Sequence, residues 1–516
     1  MASTKLTTLS KILIFAALLF GAYYVTQKTD LLKSKTDEVT NEKGEKEEKT
    51  SRKGYKDVIN IGVVTWGGYA GGQYFNKGFD ANTESQFYKD YGFKVKFKVI
   101  DDFDASRDAF KSGNIDLMWA TIDAFPTELE GLAKYDPQVV FQADWSRGGD
   151  AIVARRGINT VKDLRGKKIA VAPMTPSHSF LIWLLEAGDL TTKDVKIIEV
   201  PSAIDAADAF KSNSVDAAVV WSPDDEDAVN KVAGSKVLES TKNASHIIAD
   251  VFIAKKEFIQ KNKQQLKELY EGWMKGAAAL NNSDDKKHEA AKYLAKGLGM
   301  PEDFCYNAIN NTRLTTHGDN LNFFGLNSEY KGVTGEDLYN EMKIKYNDLG
   351  FSTVGAKSWR LLASKDIVPA ANVTVAGSEA EKAKVFANID DKVIKKEALS
   401  TKRLSISFRT GEYILDENAK QLIDIQFIPI AKAFSNSRIR VEGNTDNVGK
   451  FASNVSLSKK RAQSVADYLM EVHNMQKNRL IVLGNGPSKP VEGCKSNATK
   501  KCRSKNRRTD FELVND

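Results

Sequence analysis

The most definite chemistry in this chain lies near its C-terminus, in the stretch VEGNTDNVGKFASNVSLSKKR at 441–461. Asp446 offers a carboxylate in a turn fixed by Gly449, and Arg461 is expected one turn into a helix whose apolar face is Ala462, Val465, Ala466 and Leu469. Ser456 or Ser458 is the expected N-cap of that helix. A carboxylate accepts an ammonium, and the guanidinium fork takes an acid bidentately, so the pair suits a ligand carrying both charges. The same two residues could equally form a salt bridge that only closes the turn.

A second set of residues lies in four loops, 66–69, 121–123, 175–178 and 221–224, each following an apolar run. In open α/β sheets ligands sit beyond the carboxyl ends of strands, which makes Trp66, Thr121, Asp123, Thr175, Ser177, His178, Trp221 and Asp224 candidate solute contacts. Residues 173–179 precede a helix whose first amides could receive an anion. Asp123, Asp224 and Asp225 add negative charge instead, and Trp66 and Trp221 add flat aromatic faces, which suits an amine. The two cues conflict, and a zwitterion would satisfy both.

These loops need elements to position them. Val58–Thr65 (VINIGVVT) and Phe93–Ile100 (FKVKFKVI) read as strands, Ala105–Lys111 as a helix, and Ile115–Ala120 as a buried strand. The unit recurs at Lys167–Ala172, Ser177–Glu186, Val195–Val200, Ala206–Ser212 and Val215–Trp221. Such alternation predicts parallel α/β sheets. Further helices are expected over Lys255–Leu280, Asp284–Leu298 and Gly335–Leu349.

Two segments nearly echo each other, AFKSGNIDLMWATID at 109–123 and AFKSNSVDAAVVWSPD at 209–224, and TVKDLRGKKIAVAPMTPSHSFLIWLL follows the first of them at 160–185. In these the chain resembles the type II periplasmic substrate-binding proteins, nearest to their nitrate/sulfonate/taurine group. The resemblance covers 57–365 and implies an α/β fold of two lobes with a hinge and a ligand cleft between them, the later helices returning to the first lobe. The frame T-D-x-x-G, Asn454, L-S-x-x-R-A, with N-R-R at 506–508, resembles the OmpA-like peptidoglycan-binding domain, here 401–516, an α+β domain starting with a strand at Arg403–Phe408 in a βαβαβ-like order. It implies that Asp446 and Arg461 hold the diaminopimelate of a wall stem peptide, with Asn454 and Arg508 as further contacts. Asn444 stands where that family usually has His, a departure expected to tune the loop. Residues 366–400 read as a connector between the two.

The other end carries an apolar run, Ile12–Val25, with Lys5 and Lys11 before it and Tyr23 and Tyr24 near its end. Counted as 12–27 it is expected to anchor the chain in the inner membrane as a single span, 1–11 in the cytoplasm and the rest in the periplasm. A cleavable signal peptide is the competing reading. Residues 28–57 hold nine Lys/Arg against eight Asp/Glu and cannot bury a core, so 28–56 is a flexible tether. Of three cysteines, Cys494 and Cys502 fall close together in the last loop of the OmpA-like domain and are expected to pair in an oxidising compartment, while Cys305 reads as a buried thiol. The net charge of +7 is modest; basic residues crowd into 489–508, and nothing resembles a nucleic-acid module.

His178, His246, His288 and His317 are scattered, with no nucleophile–base set and no metal-ligand spacing, so neither an enzyme, a cofactor nor a metal is expected. The expected function is a membrane-anchored, peptidoglycan-tethered solute-binding protein that captures a small polar solute for an ABC-type permease or a sensor. The alternative is a scaffold or stator-like envelope protein whose lobes recognise a protein partner. A stator helix needs an acidic residue inside the membrane, which 12–27 lacks.

Overall fold

The computed structural model describes residues 54–515 apart from 353–355, 407 and 410. The expected membrane helix at 12–27 and nearly all of the tether lie outside the described residues. Among the described residues no helix is long and apolar enough to cross a membrane. The end of the tether is already held: the Tyr55 hydroxyl donates to Glu268 (3.0 Å), and Lys56 pairs with Asp116 at 2.7 Å.

The chain builds β1 (Val58–Val63), β2 (Lys94–Val99), α1 (Phe103–Ser112), β3 (Leu117–Thr121) and β4 (Pro137–Ser146) in a first lobe. Asp102 caps α1 by accepting from the Ala105 amide, and Gly113 ends it at φ 80°, where a side chain would be strained. The chain then crosses at 147–149 into a second lobe with β5 (Asp150–Ala154), β6 (Lys168–Val171), α2 (Pro176–Ala187), β7 (Lys196–Glu199), α3 (Ala203–Lys211), β8 (Ala217–Trp221) and β9 (Lys236–Ser240). It crosses back into β10 (Ala249–Lys255), α4 (Lys263–Asn281), β11 (Thr312–Leu314) and α5 (Gly335–Asp348).

The strand orders are β11-β4-β10-β3-β1-β2 and β7-β6-β8-β5-β9. The expectation of parallel sheets needs correcting, because each sheet is mixed. β1 runs parallel to β2 and β3, but β10 is antiparallel to β3 and β4. In the second lobe β6 is parallel to β7 and β8, and β5 is antiparallel to β8 and β9. The cause is the double crossing: a strand that takes the chain out of a lobe and one that brings it back must run in opposite directions. The helix expected over Lys255–Leu280 is two, broken at Asn262, and α4 buries Tyr270 and Trp273 against Phe141 and Phe252 in the first-lobe core.

The C-terminal domain forms β12 (Ser400–Leu404), β13 (Arg438–Asn444), α6 (Phe451–Glu471), β14 (Leu480–Gly486) and β15 (Thr509–Val514), in sheet order β12-β15-β13-β14. Its first strand begins at Ser400, before the expected Arg403. The domain is seated on the second lobe. The Val161 amide donates to Leu399 and the Leu399 amide to Leu513, both at 2.9 Å, and one apolar cluster runs from Ile169 and Phe180 through Leu399 into Phe427 and Phe511. The connector is held too: Gln476 donates to the Lys384 carbonyl (2.7 Å) and Phe386 is buried. A cavity of about 590 Å³ lies between the hinge and the C-terminal domain, lined among others by Trp145, Arg147, His246, Tyr330, Phe386 and Arg479.

Candidate functional site

The end of β4 and the start of β10 meet at the hinge, where Asp144 and Asp250 are register partners on adjacent antiparallel strands. Both are buried. Asp144 Oδ2 accepts from Trp66 Nε1 at 3.1 Å, and its Oδ1 has no hydrogen-bond partner. Asp250 accepts from the Tyr69 hydroxyl at 2.5 Å. Asp150 opens β5 as the register partner of Trp221 and accepts from Ser146 at 2.7 Å. Burial pushes the Asp150 carboxyl up to about 7, with the charge of Asp225 adding to the shift. Burial likewise raises Asp144 well above the carboxylate range, with Asp250 and Asp150 pushing the same way. Arg147, the cation that most favours an ionised Asp144, is itself paired with Glu381 at 2.8 Å.

Aromatic rings close this floor. A Cβ on Gly149 would lie 2.1 Å from the Trp66 ring, and one on Gly68 would lie 1.5 Å from Asp144 Oδ2, so only glycine permits either approach. Phe103 of the first lobe stacks on Trp221 of the second at 6.3 Å and meets Trp119 edge-on at 5.1 Å. Asn311 donates across the same gap to Ser222 (2.9 Å). Arg107 lies over Trp119 at 4.9 Å, but its charge goes to Glu128 through bonds of 2.6 and 2.7 Å. The indole N–H groups of Trp119 and Trp221 are buried with no acceptor.

The other expected solute contacts gather under α5. His178 is buried with its Nδ1 accepting from the Met174 amide at 3.2 Å, and its ring meets Tyr346 and Phe351 at 5.5 and 5.2 Å. Burial lowers its pKa to about 4, so the imidazole is neutral at physiological pH. Thr175 Oγ1 donates to Ala172 (2.8 Å), and Ser177 Oγ is buried without a partner. Ser179, in the same helix, bonds Tyr346 at 2.9 Å and also stabilises Asp123. Asp123 is fully buried, accepts from the Ala249 amide (3.4 Å), and is raised to about 8 by that burial. Thr121 is buried as the register partner of Asp250, and Asp224 is half-buried in the first turn of a helix. Trp66, Thr121 and Trp221 therefore lie by the hinge carboxylates, while Thr175, Ser177 and His178 lie beneath Tyr346.

Sequence reasoning took Tyr69 only as the end of a candidate loop and missed Arg107, Trp119, Asp144, Asp150 and Asp250. Trp119 stood in a quoted repeat and carried a signal. The three aspartates sit on strands whose burial on both faces left no alternation to find.

In the C-terminal domain Asp446 follows β13, in a turn where Gly449 has φ 97°. Its Oδ1 accepts from the Val448 amide (3.1 Å) and its Oδ2 from Arg507 (2.6 Å). The N-cap expectation needs correcting: α6 begins at Phe451 after Lys450, with no side-chain cap. Ser456 and Ser458 lie inside the helix, and Arg461 lies well beyond its first turn. Ser458 is committed elsewhere, accepting from the Gly486 amide at 2.9 Å and so tying α6 to β14. Arg461 donates to the Glu412 carbonyl (2.9 Å) and lies over Phe408 at 4.8 Å. Burial lowers its pKa, nearby Arg507 lowers it further, and Asp446 opposes both.

Asn454 donates to Val448 (3.0 Å) and shapes the loop. Arg508 is buried and bonds Asp510 at 2.8 and 2.9 Å, so Arg507 is the one of the pair that faces Asp446. Two neighbouring residues entering a strand point to opposite sides, and N-R-R alone does not say which arginine points inward. Cys494 and Cys502 are bonded, and Asn506, next to Arg507, donates to the Cys494 carbonyl (3.0 Å). Cys305 is a buried free thiol. The basic stretch at 489–508 is partly neutralised from within, Lys489 by Glu442 and Arg507 by Asp446. Among the described residues no group of His, Cys, Asp and Glu has the arrangement of a metal site.

Residues 79–295 match the NMT1-like family and residues 407–507 the OmpA family. The taurine-binding periplasmic protein of Escherichia coli (strain K12) is 25% identical over 230 residues, 43% of this chain and 69% of that protein. The peptidoglycan-binding protein ArfA of Mycobacterium bovis is 38% identical over 80 residues, 16% of this chain and 23% of that protein. Among solved structures, the periplasmic aliphatic sulphonate binding protein SsuA from Escherichia coli aligns with a TM-score of 0.49 at 18% identity, covering 65% of this chain and 97% of that one.

Proposed function

From a chain that joins an NMT1-like domain to a C-terminal OmpA domain, we infer a solute-binding protein held to the cell wall. The two lobes close on a small polar solute and present it to an ABC-type permease or a sensor. The C-terminal domain grips the stem peptide of peptidoglycan, Asp446 taking the ammonium of diaminopimelate and Arg461 its carboxylate, with Asn454 shaping the loop. The apolar run at 12–27 anchors the chain in the inner membrane, and the charged tether spans from there to the first lobe.

The observation that carries this reading is the cleft itself. Two lobes joined by a double crossing meet through Phe103 and Trp221, and the buried polar atoms Asp144 Oδ1, Trp119 Nε1 and Trp221 Nε1 lack partners there. Buried polar groups are almost always satisfied, and an orphaned set lining one cleft is what a bound solute would satisfy. The E. coli relative is named for binding taurine, which supports a small polar solute as the class.

The test is intrinsic tryptophan fluorescence and thermal shift on the full chain, against nitrate, phosphate, sulfonates, amino acids, polyamines and betaines. A bound solute raises the melting temperature by mass action and perturbs Trp66, Trp119 or Trp221. A flat response in both signals would move the weight to a scaffold whose lobes recognise a protein.

A further inference from the structure

On that solute-binding reading, we propose that the cleft selects its solute by an ammonium group seated among Asp144, Asp250 and Asp150, and that a bare oxyanion does not fit. The three carboxyl groups are 0, 4 and 2% exposed and stand at the hinge where β4, β5 and β10 converge. Each is met by a neutral donor, Trp66 for Asp144, Tyr69 for Asp250 and Ser146 for Asp150. Among the described residues none of the three is ion-paired with a Lys or Arg. The two nearby guanidinium groups are ion-paired outside this cluster, Arg107 with Glu128 and Arg147 with Glu381, and each keeps a buried Nη1 without a partner.

Two observations independent of the clustering point to a cation as the ligand. Asp144 is fully buried with Oδ1 unpartnered. Asp225, presented by the second lobe, is buried with its own Oδ1 unpartnered, and it acts electrostatically on Asp150. Buried acids that act on one another cannot all ionise, and an ammonium seated among them would exchange their protons for charge-assisted hydrogen bonds. A free sulfonate or nitrate would instead sit against three acids. The helix N-terminus expected to welcome an anion lies beneath Tyr346, which bonds Ser179, with the buried Asp123 near it, and His178 beside it is neutral. The unused N–H groups of Trp119 and Trp221 can receive an oxygen at the far end of the same solute.

The experiment is titration calorimetry of the full chain with four probes at one ionic strength: putrescine, taurine, methanesulfonate and nitrate. Putrescine or taurine is expected to bind, and methanesulfonate and nitrate are not. Taurine alone would place an acidic end at the indole N–H groups, and putrescine alone a second ammonium by Asp225. Asp144→Asn and Asp250→Asn should each weaken binding at least tenfold while the unliganded melting temperature holds, because each replaces a buried acid held toward its neutral form by a neutral amide of the same shape. Binding of methanesulfonate or nitrate with both amines silent would overturn the ammonium site and leave the solute-binding reading standing. Silence from all four, with tryptophan fluorescence unmoved, would overturn both. Unchanged amine affinity in both folded variants would also overturn the site.

Discussion

His246 and Ser435 join the hinge to the C-terminal domain: Nδ1 and Oγ lie 2.9 Å apart, and the His246 amide donates to the Ala433 carbonyl at 3.1 Å. The other crossing segment carries Arg147, which approaches His246 at 3.3 Å and pairs with Glu381 of the connector at 2.8 Å. Both segments that must flex when the lobes move are thus tied, directly or through the connector, to the domain proposed to hold the wall.

This linkage predicts a coupling energy. Glu381→Ala leaves the largely buried Arg147 guanidinium without its ion-pair partner, and should cost about 1–3 kcal/mol. Arg147→Ala together with Glu381→Ala should cost less than the sum of the single changes, since the pair then leaves together. Urea melts of the full chain read both values; additive costs would mean that the pair contributes nothing.

Close approach at the hinge predicts the effect of one methyl group. Gly149→Ala puts a Cβ 2.1 Å from the Trp66 ring and must displace it. Trp66 then loses its bond to Asp144, and solute affinity should fall roughly tenfold, about 1.4 kcal/mol. Trp66→Phe keeps a ring but drops the N–H and should lose a similar amount. Calorimetry with the solute found in the screen checks both, and unaltered affinity in Gly149→Ala would remove Trp66 from the site.

Wall binding and folding should separate between neighbouring arginines and the acid they do or do not face. Asp446→Ala and Arg461→Ala should abolish pull-down with purified sacculi while the fold survives. Arg508→Ala strands Asp510 in a buried position, so it should lower stability by about 3–5 kcal/mol, and the folded fraction should still bind sacculi. Retention of binding in both of the first two variants would sink the assignment.

Asp123 predicts a slope of stability against pH. Its ordinary value is 3.8 and burial holds it at about 8, so the folded protein keeps a proton that the unfolded chain has released. The stability this proton confers is complete below the ordinary value and is lost as pH rises to about 8. His178 works in the opposite sense: lowered from 6.5 to about 4, it favours the fold above 6.5 and loses that contribution as pH falls towards 4. Between pH 6.5 and 8 the histidine adds little slope, while Asp150 and Asp250, each raised to about 7, titrate alongside Asp123. Asp123→Asn should gain on the parent protein there by up to about 1.4 kcal/mol per pH unit. Asp150 and Asp250 are present in both proteins, so the difference between the two curves belongs to Asp123. Parallel stability curves for the two proteins would show that Asp123 is ionised in the fold.

Local pattern carried a good deal of this. Apolar runs with Gly and Asp at their ends located β1, β2, β3, α1 and α5 to within a few residues, because helix caps and strand alternation are written in consecutive positions. Residues 494 and 502 were legible as a disulfide from proximity in sequence. The candidate pair Asp446 and Arg461 was legible as chemistry, and their neighbourhood was not: only the packed domain turns Arg507 toward Asp446 and Arg508 toward Asp510. The same holds for the hinge. Asp250 is far along the chain from Asp144 and Asp150, which stand on either side of one crossing; all three are on strands buried on both faces, and nothing nearby in sequence marks them as partners. Register across antiparallel strands brings them together, and the fold removes the water that would otherwise have made their closeness unimportant. Residue types and spacing marked candidate side chains in each domain, and tertiary packing decided which of them are left without a partner.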